Sequence, residues 1–228
     1  KERLNRTEIR QRYVQEVEYA DREIGRLLTG LEERGLLENT LVIFASDHGE
    51  GLGNHDHIGH VSQLYDSLLH VPLMFMWRGR LPEGLVVDEP VSLIDVFPTV
   101  ADLLGLARPA HASGLSLTPL FAGEHRPQRP FLAATYPPES ARSIRAIIQD
   151  GYKFIHSWTD TRDRVELYNV LDVPGELDDH AETQPARLQR HRAELQQRLA
   201  DLSESAPVHA ELSEEEKAHL RALGYIHD

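Results

Sequence analysis

The stretch Ser46-Asp47-His48-Gly49-Glu50-Gly51-Leu52-Gly53-Asn54-His55-Asp56-His57-Ile58-Gly59-His60 gathers four of the chain's 13 histidines beside three carboxylates. Aspartate and histidine are hard-to-borderline ligands suited to calcium, magnesium, manganese or zinc. Glycines in the first half of the segment let the backbone turn tightly and approach a ligand. A histidine-rich loop is also what a merely polar surface would use. Read singly, His55 and His57 fit that blander description. Asp47 and His48 differ because they follow directly on the apolar run Leu41-Val42-Ile43-Phe44-Ala45. Open sheets bind ligands at the carboxyl ends of such strands.

The flanking elements follow from periodicity. Residues 7–34 read as a long helix with Tyr13, Val17, Ile24, Leu27, Leu28 and Leu31 on one stripe, Thr7 as N-cap and Gly35 as stop. Residues 41–46 read as an interior strand of a parallel sheet, covered on both faces, with Val71 to Trp77 as the next buried strand. A short helix is expected over 62–69 and another over 95–104, with Asp95 as N-cap and Pro98 in its first turn. Beyond a polar connector at 124–130 the period changes to two. Residues 143–148 and 152–156, joined through Asp150-Gly151, predict a hairpin, and 165–168 a third strand. Pro185 to Leu202 reads as an amphipathic helix, and Ser213 with Glu216 as the capping box of a last helix that Gly224 closes. The expected class is α/β: part of a doubly wound, mostly parallel sheet flanked by helices in residues 1–125, then a smaller α+β domain with an antiparallel sheet and C-terminal helices in 126–228.

Composition narrows the function classes. The 228 residues carry 24 Lys and Arg against 37 Asp and Glu, a net charge of −13. Such a surface repels nucleic acid and anionic lipid, so an anionic substrate needs a local positive focus such as a metal ion. There is no cysteine, hence no disulfide, Cys-ligated zinc or thiol nucleophile in the chain. No apolar run is long enough to span a bilayer, and no targeting segment is expected at the N-terminus. Asp21 and Glu18 read as paired or solvated carboxylates of the first helix, Lys153 as a surface residue, and Trp77 and Trp158 as core or rim.

The run from Glu38 to Glu50, with Gly53-Asn54-His55, Gly59-His60, Tyr65-Asp66 and His70-Val71-Pro72-Leu73, resembles the type I sulfatases of the alkaline phosphatase superfamily. Asp95-Val96-Phe97-Pro98-Thr99, Gly114-Leu115-Ser116-Leu117-Thr118-Pro119-Leu120, Asp150 to Ile155, Glu166 to Asn169 and the tail Leu212 to Tyr225 extend the resemblance in order over nearly the whole chain. It covers only the C-terminal half of such an enzyme. The family's first-strand Asp pair and its Cys/Ser-x-Pro-x-Arg motif, source of the formylglycine nucleophile, have no counterpart here. Thr183-Gln184-Pro185-Ala186-Arg187 is no substitute, because Thr is not a formylglycine precursor. The chain is therefore expected to be truncated or processed, with no nucleophile of its own and little turnover alone.

The resemblance implies the following roles. Asp47 and His48 hold a divalent ion, calcium first, with manganese or zinc as alternatives. His60 stands where many members carry a sulfate-contacting Lys, so it contacts substrate, acts as general acid to the leaving alcohol, or ligates a second metal. His55 and His70 are further substrate-binding candidates, His70 with a rim role equally open. The implied partner is a sulfated small molecule or glycan. A phosphoesterase or phosphonate hydrolase of the same superfamily is the alternative activity, and a non-catalytic binding or assembly domain the alternative class. An unpaired strand edge leaves room for a homo-oligomer. The compartment is open, with periplasmic or secreted placement of the longer protein among the outcomes the resemblance allows.

Overall fold

Asn5 opens the first helix. Its side chain accepts the Thr7 and Glu8 amides while Glu8 reaches back to the Asn5 amide, a complete capping box that starts α1 (Arg6–Glu33). The cap is thus Asn5 and not the Thr7 read from the sequence. The computed structural model describes residues 5–60, 63–108, 112–135, 143–171, 175–204, 213–214 and 216–217. It divides into residues 1–191 and 192–228. The expected helix closure at Gly224 lies outside the described residues, whereas the Ser213–Glu216 capping box is present.

The stripe on α1 does not face a core. None of its 28 residues is buried, and Tyr13, Val17 and Leu27 stay exposed. Its ties to the remaining described residues include polar ones: Arg6 pairs with Asp56, Arg10 donates to the Leu52 carbonyl, and Glu32 pairs with Arg78. Amphipathic spacing reports that a face is apolar and not what covers it.

The α/β class holds, but strand direction is corrected. β1 (Val42–Ala45) pairs antiparallel with β4 (Leu73–Met76), Val42 opposite Met76 and Ala45 opposite Leu73. Every strand pair among the described residues is antiparallel. Phe44 and Met74 are 36% and 56% exposed, so this sheet is not covered on both faces within the chain. A two-sided apolar run carries no information on direction. Between the two strands lie β2 (Gly51–Leu52), β3 (Ile58–Gly59) and α2 (Asp66–Leu69).

The helix expected at 95–104 is α3 (Val96–Leu103), followed by α4 (Thr118–Phe121). Asp95 does not cap α3 with its side chain. It is fully buried and accepts from the Ser92 and Leu115 amides and from the Arg126 and Arg129 guanidinium groups. The connector read as merely polar therefore supplies two anchors.

The period-two segments form a meander of β5 (Phe131–Thr135), β6 (Ser143–Gln149), β7 (Tyr152–Trp158) and β8 (Asp163–Asn169). Only β5 was not anticipated. Alternation gives the sheet two working faces. Ile147, Phe154 and Leu167 are fully buried on one face, where His191 of α5 (Pro185–Glu204) hydrogen-bonds the Gln149 carbonyl at 3.1 Å. Ile144, Ala146, Ile155 and Tyr168 line the other face and meet Leu64, Tyr65 and Leu69. That second face supports the segment running into α2.

Asp95→Asn leaves two guanidinium groups short of their shared carboxylate. It is expected to cost roughly 3–5 kcal/mol, read as a lower midpoint in urea unfolding.

Candidate active site

Beyond β1 the backbone turns at once. The Ser46 hydroxyl donates to the His48 carbonyl at 2.6 Å, and the His48 amide donates to the Asp47 carboxylate at 3.0 Å. Gly49 then lies flat against α2. Its amide donates to the Leu68 carbonyl at 2.9 Å, and a Cβ there would collide with the Ser67 carbonyl oxygen. The turn leaves Asp47 exposed, its side chain 88% accessible, and His48 half-exposed.

The hairpin of β2 and β3, with Gly51 opposite Gly59, then folds the chain back on itself. Its tip takes left-handed conformations at Gly53 (φ 102°), His55 (φ 50°) and Asp56 (φ 57°). The result places Glu50 next to His60, ten residues later, with His60 Nδ1 at 2.9 Å from the Glu50 carboxylate. The His60 ring stacks on His48 at 4.5 Å between centroids. Asp47, His48, Glu50 and His60 thus form one group at the end of β1, with Asp47, His48 and His60 exposed and Glu50 partly buried.

The tautomers follow from the partners. A carboxylate and a backbone carbonyl only accept, so His60 Nδ1 donates to Glu50, and His48 Nδ1 donates to the Gly49 carbonyl at 2.8 Å. In its neutral form each ring is left with Nε2 as its lone-pair nitrogen. Fixing the tautomer by a second hydrogen bond is how metal-binding histidines are commonly held. Asp47 and His48 therefore fit a divalent ion as two members of a shell. Among the described residues, no group of three or more His, Asp or Glu is arranged to hold a metal. The two candidates do not complete a site alone.

The other candidates lie elsewhere. His55 stacks flat on Tyr65 at 3.6 Å, and its Nε2 is 3.1 Å from the Gly175 carbonyl. His70 ends α2, exposed, with its amide on the Asp66 carbonyl. No hydrogen bond or ring contact among the described residues joins either to the Asp47 group.

Behind the site are groups the sequence reading missed. Lys153, expected at the surface, is completely buried. Its ammonium pairs with Asp66 and, at 2.6 Å, with Glu176. Burial pushes the Glu176 carboxyl above the usual carboxylate range, against the opposing pull of Lys153. Glu166, also buried, accepts from the Tyr65 and Tyr168 hydroxyls at 2.8 and 2.7 Å and from Arg164 at 2.8 Å. Burial and then the bond to Glu166 push the Tyr168 phenol far above its ordinary value. Asp66 lies 87 residues from Lys153 and Tyr65 lies 101 from Glu166, beyond any local pattern. Only the Glu50 beside Asp47-His48 carried a signal, by lying in the same loop.

Comparison with known proteins places this arrangement in a family. The Sulfatase family model matches residues 1–106, and that for N-sulphoglucosamine sulphohydrolase, C-terminal, matches 54–205. The chain belongs to the sulfatases and aligns with the C-terminal part of the type I fold. It is similar to human arylsulfatase K, 39% identical over 110 residues that cover 46% of this chain and 20% of that protein. Among solved structures it resembles one in complex with its substrate D-glucosamine-2-N,6-O-disulfate (26% identity, TM-score 0.66, 82% of this chain and 39% of the other). It also resembles the phosphonate monoester hydrolase of Silicibacter pomeroyi (25% identity, TM-score 0.66, 79% and 38%). The chain spans about a fifth to two fifths of the lengths of these proteins.

Gly49→Ala forces the turn away from α2 and is expected to lower stability by about 1–3 kcal/mol. Gly25→Ala, in α1 with nothing within 4 Å, should raise it by roughly 0.5–1 kcal/mol. Paired denaturant melts test both signs.

Proposed function

We propose that the chain supplies the ion-holding and leaving-group side of a sulfuric ester hydrolase. The observation that carries this reading is the stacked His48–His60 pair, each ring held through Nδ1 with Nε2 spare, next to the exposed Asp47 carboxylate. Asp47 and His48 would hold the divalent ion, calcium first and manganese or zinc as alternatives. When bound, such an ion supplies the charge that holds and polarises an anionic ester. His60 contacts the sulfate group and, in its imidazolium form, with Nδ1–H still on Glu50, gives its Nε2 proton to the departing alcohol and returns to the neutral ring. The formylglycine nucleophile is assigned to a segment outside these 228 residues, which contain no cysteine. Residues 1–125 are assigned to the catalytic portion and 126–228 to the small C-terminal domain. The substrate class is a sulfated small molecule or glycan, in line with the sulfated sugar bound by one structural relative.

Likeness to a phosphonate monoester hydrolase keeps a second reading in play, in which His60 ligates a transition metal. Metal analysis of the active protein separates the two: calcium supports the sulfatase reading, and two zinc or manganese ions the other.

The chain alone is expected to release no 4-nitrophenol from 4-nitrophenyl sulfate above an Asp47→Ala control. Metal-dependent turnover above that control would contradict an outside nucleophile. In the protein that includes the nucleophile, EDTA should abolish turnover and calcium restore it. His60→Ala should lower kcat on an alkyl sulfate by about 10²–10⁴, and by much less on 4-nitrophenyl sulfate, whose leaving group needs no proton. An equal loss on both substrates would remove His60 from the general-acid role.

A further inference from the structure

The sheet face that meets residues 63–69 is apolar at its centre and ionic at its margin. Ile144, Ala146 and Ile155 meet Leu64 and Leu69. Apolar contact of this kind fixes burial but tolerates sliding. Lys153 adds direction. Its ammonium, fully buried, reaches the Asp66 carboxylate, Glu176 and, at 3.5 Å, the Leu64 carbonyl. Glu176 is held with φ 54°, and its second oxygen accepts the Asp66 amide at 2.7 Å. Both the side chain and the amide of Asp66 are thus gripped. An ammonium taken out of water costs several kcal/mol unless its partners are well placed, and breaking such a group is worse than never building it. A site that only needed filling would use an apolar residue.

Asp66 is the first residue of α2, and two residues on, the Leu68 carbonyl holds the Gly49 amide. The path from the C-terminal sheet to the Asp47–His48 turn is therefore Lys153, Asp66, Leu68, Gly49. We propose that Lys153 is a positioning residue: through Asp66 and α2 it sets where the Asp47–His48 pair stands. Its bearing on catalysis rests on the reading of that pair as ion ligands.

The test uses Asp66→Asn in the 228-residue chain. The Asp66 side chain is one-third accessible and Glu176 still pairs with Lys153, so the fold should survive with a nearly unchanged melting temperature. Amide hydrogen exchange is expected to quicken about tenfold at Gly49, the scale of weakening one hydrogen bond, with β6–β8 amides unchanged. A second variant, Lys153→Met with Asp66→Asn and Glu176→Gln, removes all three charges at similar volume and should loosen Gly49 further. Wild-type protection at Gly49 in either folded variant overturns the proposal. Calcium titration by calorimetry of the same variants in the protein that includes the nucleophile separates the two claims. Weaker calcium binding in the variants supports both. Looser Gly49 with no calcium binding by the wild-type form of that longer protein supports the positioning role and sinks the ion reading instead.

Discussion

The hydrogen bond from the Gly49 amide to the Leu68 carbonyl joins the carboxylate–imidazole turn to the rest of the chain. It forms because Gly49 has no side chain to hold α2 away. With that contact made, β1 can end at Ala45 and still project Asp47 and His48 in a defined direction. The hairpin that follows needs left-handed residues at its tip to bring His60 back over His48. The site is thus a turn and a hairpin resting on one short helix, and α2 rests in turn on the C-terminal sheet.

Charge is divided between these layers in a way that bears on function. The net charge of −13 would repel an anionic ester. Several cationic groups are committed to internal ion pairs: Arg126 and Arg129 on Asp95, and Lys153 on Asp66 and Glu176. They serve the fold and do not advertise positive charge to a substrate. In the proposed reading a positive focus at the Asp47 turn comes from a bound cation, which His48 Nε2 and the exposed Asp47 carboxylate are suited to receive.

What the sequence disclosed and what it hid follow one physical rule. Features set within about ten residues were legible: a strand over 41–46, found at Val42–Ala45, the Asp150-Gly151 hairpin and the period-two strands with their two faces. Features set by distant partners were not. Asp95 looked like a helix cap because its guanidinium partners lie 31 and 34 residues on. Lys153 looked superficial because Asp66 is 87 residues back. The stripe on α1 and the apolar run of β1 were read correctly as apolar, yet burial depends on a covering surface that pattern cannot report. His55, grouped by spacing with the other histidines, is drawn off to Tyr65 by the left-handed turn at the hairpin tip.

The central claim is that Asp47 and His48 hold a divalent cation. Backbone amide NMR of the protein that includes the nucleophile, during a calcium titration, tests it most directly. The account predicts saturable shifts centred on Asp47, His48 and Gly49 that vanish in Asp47→Ala. Shifts spread over the acidic surface with those three amides unmoved would contradict it.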